Sequence, residues 1–465
     1  MAAARRPSTD PGNAKADRAR RVAFDALRRV TGEDAYANLV LPQLLGERGI
    51  TGRDAAFATE LLNGTCRWLG TYDAVLESAA GRPLGTLQPA VVDLLRLGTH
   101  QVLAMRVGTH AAVSETVDLA AATVGRRVTG LVNAVLRKVA AHDRDGWLEL
   151  LGAGRDPFDR LALEHAHPRW VVEAYADLLP ADELVAALAA DNVSPEVSLV
   201  VRPGLADVDE LVREAGAEGT GRWSPYAVRG TGNPGDLPLV REGRAGVQDE
   251  GSQLVAWGVA RPAAAPGWWL DLSAGPGGKA ALLTGLAAAD GSRVVAGELA
   301  PHRAALVAGA TRAYPADRRP VVVVADATRP SWRAGSFTRV LADVPCTGLG
   351  ALRRRPEARW RRDPADVEAL HPLQRALLET ALDAAAPGGL VAYVTCSPHR
   401  RETADVVTET LAGRDDVDVV PFAEVLPELA GASTGAAAAG HPDFLQLWPH
   451  RHGTDAMFAA YLRRR

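Results

Sequence analysis

The stretch WWLDLSAGPGGKA, residues 268–280, is an apolar run that ends in an acid, turns through glycines and continues into Ala and Leu. It reads as a strand, a tight turn and the start of a helix. Glycines in such a turn let backbone approach a ligand closely, and the first N–H groups of the following helix are free to face it. A Walker phosphate loop would need Gly at Ser273 and Ser or Thr at Ala280, and a G-x-G-x-x-G fingerprint would need a third glycine that Gly275-Pro276-Gly277-Gly278 does not supply. The pattern is that of a nucleotide-like ligand site, with a bare structural turn as the rival.

Outward from this stretch, RVVAGE, PVVVVADA, RVLADVP and LVAYVTC are short β-branched runs separated by Ala/Leu-rich helical segments. Alternation of this kind predicts a parallel sheet with helices on both faces and a ligand at the carboxyl ends of the strands. FLQLWP and MFAAYLRR are expected to add an antiparallel pair at the sheet edge. Upstream, VVDLLRLGTHQVLAM, HAAVSETVDLAAATV and GLVNAVLRKVA carry apolar residues every three to four positions, which predicts a helical bundle. The expected organisation is a disordered lead over 1–16, a helical domain over 17–143, a small linking α+β subdomain over 155–245 and the α/β domain over 246–465, with GASTGAAAAG as a flexible loop inside it.

Composition narrows the class. The chain has 465 residues, a net charge of −4 and three cysteines, with no CxxC pair, so neither a disulfide framework nor a metal site is expected. The polar N-terminus and the lack of a long apolar run predict a cytoplasmic protein away from membranes. Near-neutral charge means that a nucleic-acid partner must be met by local basic patches. Lysine occurs only at 15, 138 and 279 among 52 basic residues, so Lys279 inside the glycine motif is conspicuous. The positive end of the helix dipole would disfavour it there unless it had a specific partner.

Candidate chemistry sits at strand ends. Glu298, Asp326 and Asp343 close the second, third and fourth strands of the α/β region, and Cys346 and Cys396 follow the fourth and fifth. A strand-terminal acid is ordinarily a turn former or helix cap, and a lone cysteine is ordinarily a small core residue. Two cysteines at neighbouring strand ends, flanked by proline and small polar residues, point instead to a shared cleft.

On these residues the chain resembles the RsmB (Sun) family of ribosomal-RNA cytosine-5 methyltransferases along nearly its whole length. The likeness is carried by VQDEGSQLVA, DLSAGPGGKA, DVPCTGLGALRRRPEARWRR, TCSPHRRET and WPHRHGTDAMFAAYL, with LRLGTHQVLAM, AAVSETVDLA and GLVNAVLRKV resembling the RNA-binding domain of the antitermination factor NusB. The resemblance implies a Rossmann-like class I methyltransferase with a mostly parallel seven-stranded sheet, preceded by the NusB-like domain. It implies S-adenosyl-L-methionine as cofactor, held by Ser273, Ala274, Gly275, Pro276, Gly277, Gly278, Lys279, Glu298, Asp326 and Asp343. It makes Cys396 the nucleophile that adds to carbon 6 of the cytosine, Cys346 the residue that helps release product, and Asp343 a partner of the cytosine edge. Ser273, Gly275, Ala280 and Glu298 depart from the family's usual residues but keep backbone shape or carboxylate, whereas Arg401 and Thr403 flank Glu402 where the family often carries acids or amides.

Arg353, Arg354, Arg355, Arg359, Arg361 and Arg362 surround Trp360 just after Cys346 in sequence, and are expected to contact RNA phosphates with Trp360 as a stacking surface. A basic run is otherwise a solvated face. The partner implied is small-subunit ribosomal RNA, with no DNA and no membrane, bound by a monomer. Methylation of transfer RNA is one competing reading, and a NusB-like assembly factor with an inactive methyltransferase half is another. An exocyclic-amine enzyme would carry an Asp-Pro-Pro-aromatic motif where this chain has Asp343-Val-Pro-Cys346, and a DNA cytosine enzyme would not need Cys396.

Overall fold

The computed structural model describes residues 17–230, 232–431 and 441–465. The expected disordered lead over 1–16 and residues 432–440 of the expected loop lie outside the described residues. The chain divides into two compact units, one formed by residues up to Val172 with Arg354–Arg361, the other by Glu173–Arg353 with Arg362–Arg465. No helix among the described residues is long and apolar enough to cross a membrane.

The first unit is helical. Asp17 starts it by accepting the Ala19 N–H, Pro89 occupies the first turn of Pro89–Leu103, where its missing donor costs nothing, and Gly81 ends Leu69–Ala80 in the left-handed region at φ 68°. Leu27, Leu61, Leu62, Leu94, Leu95 and Leu136 form its core, from the apolar stripes that the spacing predicts. Arg96 bridges Asp73 and Asp93, and the Tyr72 hydroxyl meets His100 Nδ1 at 2.9 Å.

The distant segment Arg354–Arg361 completes this unit by satisfying helix ends. Tyr36 cannot cap the helix Ala37–Glu47, and the Glu357 carboxylate accepts the Ala37 N–H in its place at 3.1 Å. Arg361 donates to the carbonyl of Val30, which the end of Arg18–Gly32 leaves unpaired, and to those of Asp34 and Ala35 just beyond it. The Trp360 indole N–H reaches the Cys66 carbonyl at 2.9 Å, and its ring lies where a side chain on Gly70 would be.

In the second unit, β1 (Val197–Val201), β2 (Ala227–Gly230) and β3 (Ala245–Val247) form a small antiparallel sheet in the order β2-β1-β3, over a core of Leu199, Val201, Leu211, Val228 and Leu239. The large sheet then takes β4 (Trp268–Asp271), β5 (Arg293–Glu298), β6 (Val321–Val324), β7 (Phe337–Asp343), β8 (Ala385–Thr395), β9 (Val417–Val420), β10 (Leu445–Gln446) and β11 (Phe458–Arg464). Its order is β10-β11-β8-β7-β4-β5-β6, with β9 also on β11. Strands β4 to β8 pair in parallel, while β9, β10 and β11 are antiparallel, so the closing apolar runs do form the expected edge pair.

Side chains of the parallel strands alternate between two cores. Trp269, Leu341 and Ala392 pack with Leu254 and Leu282 of the helices Glu250–Ala260 and Gly278–Ala289, while Leu270, Val340 and Val391 pack with Leu377 and Val406 of Pro364–Ala384 and Ala404–Leu411. Burial on both faces is why these strands read as continuous apolar runs. Strand order reverses between β4 and β7, and such a switch point opens a crevice above the carboxyl ends.

A Cβ on Gly70 would lie 2.3 Å from the Trp360 ring, whereas Gly130, also helical, has nothing within 4 Å. Gly70→Ala should therefore destabilise the protein by about 1–3 kcal/mol, and Gly130→Ala should be neutral or stabilise by up to about 1 kcal/mol. Chemical denaturation of the two variants checks the difference; equal effects would contradict the packing described.

Candidate active site

The glycine loop leaves β4 at the switch point. Gly277 holds φ +106°, and a Cβ there would meet the Val307 Cα at 2.9 Å, so only glycine fits without rearrangement. Ala274 N–H donates to the Gly297 carbonyl, and the Glu298 carboxylate accepts the Gly275 N–H at 3.1 Å and the Ala300 N–H at 3.0 Å. Glu298 is thus the internal clasp of the loop, buried at the end of β5. A Cβ on Gly275 would sit 2.3 Å from that carboxylate, which keeps this position bare. Pro276 and Gly278 are exposed on the loop, Ser273 is half-buried, and Ala274 is buried.

Lys279, in the first turn of Gly278–Ala289, crosses to Asp343 at the end of β7, Nζ to Oδ2 at 2.8 Å. Burial works against its charge, but the Asp343 carboxylate and the nearby Cys396 and Asp271 outweigh it, and the ammonium is held above its ordinary range. That ion pair is the specific partner that the helix dipole argument demanded of Lys279.

Asp271 is a site residue that sequence reasoning passed over. It is 1 % exposed, and neither carboxylate oxygen has a well-aligned donor. Burial and the charge of Asp343 push its carboxyl from the ordinary 3.8 up to about 7, against the opposing pull of Lys279 and the Ser273 N–H. A buried carboxylate without its own partner, next to a glycine cradle, suits a ligand that brings positive charge. S-adenosylmethionine, with its sulfonium and ammonium, is such a ligand, and the cradle accordingly fits it.

Cys346 and Cys396 converge. Strands β7 and β8 place Asp343 opposite Val394, and beyond that point the sulfurs lie 3.4 Å apart, both partly exposed, whereas Cys66 is fully buried in the helical unit. The contact with Cys396, burial, the Cys396 charge and the Glu402 carboxylate together push the Cys346 thiol well up. Cys346 therefore keeps its proton at neutral pH, and Cys396 is among the groups that interact electrostatically with the Lys279 ammonium. A cation near a thiol favours the thiolate.

Other sequence candidates land elsewhere. Asp326 is exposed just past β6, where its carboxylate accepts the Thr328 N–H and hydroxyl, bonds that hold its pKa down. The arginine run, expected to contact phosphates, is largely bonded within the protein itself. Arg353 is buried between Asp249 and Asp455, at 3.0 and 2.8 Å. Arg359 is buried and donates to the Ala166 carbonyl, while Arg361 and Trp360 make the helix-end contacts described above. Arg355 is exposed with its guanidinium over the Tyr36 ring, Arg354 is partly exposed, and Arg362 reaches Asp366 at 3.7 Å.

The state of Asp271 has a measurable consequence. A carboxyl whose folded pKa is raised binds its proton more tightly in the folded than in the unfolded protein, so stability falls as pH rises from about 4 to about 7. Above that window the ionised group costs on the order of 4 kcal/mol at most. Asp271→Asn without added cofactor should raise Tm over wild type at pH 8 by several degrees, a gap that closes by pH 5. Thermal melts at both pH values check this, and a lower Tm for the variant at pH 8 would contradict it.

Residues 262–463 match the profile of the family described as 16S rRNA methyltransferase RsmB/F, and residues 17–141 match that of the NusB family. A putative methyltransferase of Mycobacterium tuberculosis is 51 % identical over 98 % of this chain and 99 % of its own length. The ribosomal RNA small subunit methyltransferase B of Pseudomonas syringae pv. tomato is 31 % identical, over 95 % of this chain and 96 % of its own. Among solved structures, PH0851 superposes with a TM-score of 0.78 at 21 % identity, covering 99 % of this chain and 100 % of that one. NSun6 from Pyrococcus horikoshii, solved with SFG, gives 0.55 at 16 % identity over 64 % of this chain and 99 % of that one. At those identities the structures attest the fold, and the sequence matches attest the family. With its class I fold, its helical NusB region and its cofactor cradle, the chain belongs to the RsmB family of S-adenosylmethionine-dependent RNA methyltransferases.

Proposed function

We propose that the protein methylates carbon 5 of a specific cytosine in small-subunit ribosomal RNA, with Cys396 as the attacking nucleophile. The observation that carries this reading is the pair of sulfurs 3.4 Å apart at the ends of adjacent strands, beside the Lys279–Asp343 ion pair. Carbon 5 of cytosine is a weak nucleophile until a thiolate adds at carbon 6 and turns the ring into an enamine. A cleft that pairs a thiol near a cation with a second, protonated thiol is arranged for that chemistry. The names of the relatives from Pseudomonas and Bacillus subtilis, ribosomal RNA small subunit methyltransferase B, favour the ribosomal target.

Ser273–Lys279, Glu298, Asp326 and Asp343 would hold S-adenosylmethionine, which when bound supplies an electrophilic methyl group. Asp271 would face its positive charge. The Lys279 ammonium favours the thiolate form of Cys396, and Asp343 accepts a hydrogen bond from the exocyclic amine of the cytosine. Once carbon 5 is methylated its proton passes to solvent water, the electrons of that C–H bond re-form the double bond between carbons 5 and 6, and the Cys396 sulfur leaves carbon 6 as a thiolate. Cys346, at contact distance from that sulfur, assists the release. Arg353, Arg359, Trp360 and Arg361 are committed to internal contacts, so other basic residues must supply the surface over which RNA approaches.

Cys396→Ala should lower methyl transfer to RNA from labelled cofactor by at least about 10³-fold, because the covalent route is removed. Cys346→Ala should form the adduct and stall, visible as an RNA-linked band that survives denaturing electrophoresis. Full activity of Cys396→Ala would overturn the nucleophile assignment, and absence of the band in Cys346→Ala would overturn the release role.

A further inference from the structure

Glu402 accepts four hydrogen bonds near the cleft, and the chemistry above gives it no part. It is 0 % exposed, in the short turn Arg400–Glu402 that follows Cys396. Its Oε1 accepts the Thr347 N–H at 2.7 Å and Gln374 Nε2 at 3.2 Å, and its Oε2 accepts the Thr347 hydroxyl at 2.5 Å and the Ser397 hydroxyl at 2.6 Å. Gln374 also donates to the Pro345 carbonyl at 2.8 Å. A carboxylate is kept in a dry interior only where donors compensate its lost hydration, and here the donors come from both cysteine loops.

Thr347 is the residue after Cys346, and Ser397 is the residue after Cys396. One carboxylate thus bonds the immediate neighbour of each sulfur. Other direct ties between the loops are the Gly350 N–H to the Cys396 carbonyl at 2.8 Å, the two sulfurs at 3.4 Å, and the Thr347 and Ser397 hydroxyls 3.5 Å apart. The helix Pro364–Ala384 braces the clamp through Gln374, and through His371 Nδ1, 2.7 Å from the Arg401 carbonyl beside Glu402.

We propose that Glu402 is a positioning residue, which sets the separation of the Cys346 and Cys396 sulfurs by clamping Thr347 and Ser397 with one buried carboxylate. The proposal rests on the reading of Cys396 as nucleophile and Cys346 as its partner in release. Glu402 touches neither substrate nor cofactor; it acts through the two loops. Its negative charge next to Cys346 also helps to push that thiol up.

The test uses the full-length protein and two readouts. Dibromobimane becomes fluorescent only when it alkylates two neighbouring thiols, so the rate of fluorescence gain, with the product located by peptide mass analysis, reports Cys346–Cys396 proximity without any catalysis. Steady-state methylation of RNA supplies kcat and KM. Glu402→Ala, shown folded by thermal melting, should lose crosslinking by at least about tenfold and kcat by roughly 10²-fold with KM little changed, as expected for a misplacement near the reacting atoms. Glu402→Gln keeps the shape but cannot accept from all four donors, and should fall between. It also carries the test if the alanine variant does not fold. Wild-type crosslinking in a folded variant overturns the proposal, as does loss of crosslinking with kcat intact. If Cys396→Ala proved active, the nucleophile reading would fail on that result alone, while the crosslinking rates would still decide whether Glu402 sets the spacing.

Discussion

With Asp343 opposite Val394 in the parallel ladder of β7 and β8, the two chains leave the sheet side by side, and their next residues bring two sulfurs to 3.4 Å. Parallel pairing makes this possible, because it sends both strand ends to the same edge, where antiparallel neighbours would send them to opposite edges. The reversal of strand order at β4 then sets the glycine loop against the same edge. Lys279 ties the two halves together through Asp343, so cofactor cradle and thiols share one electrostatic neighbourhood.

Three acids lie along the cradle: Asp343 is paired with Lys279, Glu298 has Arg303 at 3.8 Å, and buried Asp271 has no cation of its own. Asp271 is better satisfied when a cationic ligand arrives, which links stability to ligand occupancy. Glu402 follows the opposite logic. Its charge is fully compensated by neutral donors, and it is spent on holding backbone in place. Buried acids of both kinds line one cleft, and their partners distinguish them.

The α/β half was legible in the sequence because burial on both faces leaves unbroken apolar runs, and the glycine motif and strand-end residues follow from the strand endings. The helical half was legible from its stripes. The arginine run was not, since residue order says nothing about burial: Arg353 answers Asp249 and Asp455, each about a hundred positions away, and Arg361 answers carbonyls at the end of a helix near the N-terminus. Glu402 and Asp271 were hidden for the same reason. Each stands in a motif whose cysteine or glycines draw notice first, and its role depends on partners such as Thr347 that only the fold brings within reach. Glu298 was placed correctly at a strand end, but the bonds it makes here are to Gly275 and Ala300 in its own loop region.

The central claim is thiol catalysis by Cys396 at carbon 5 of a ribosomal cytosine. Bisulfite sequencing of small-subunit ribosomal RNA tests it most directly, in a strain lacking this gene and in the same strain carrying wild-type or Cys396→Ala protein. The account predicts that one 5-methylcytosine disappears with the gene, returns with the wild-type protein and stays absent with the variant. An unchanged methylation pattern in the deletion strain, or restoration by the variant, would contradict it.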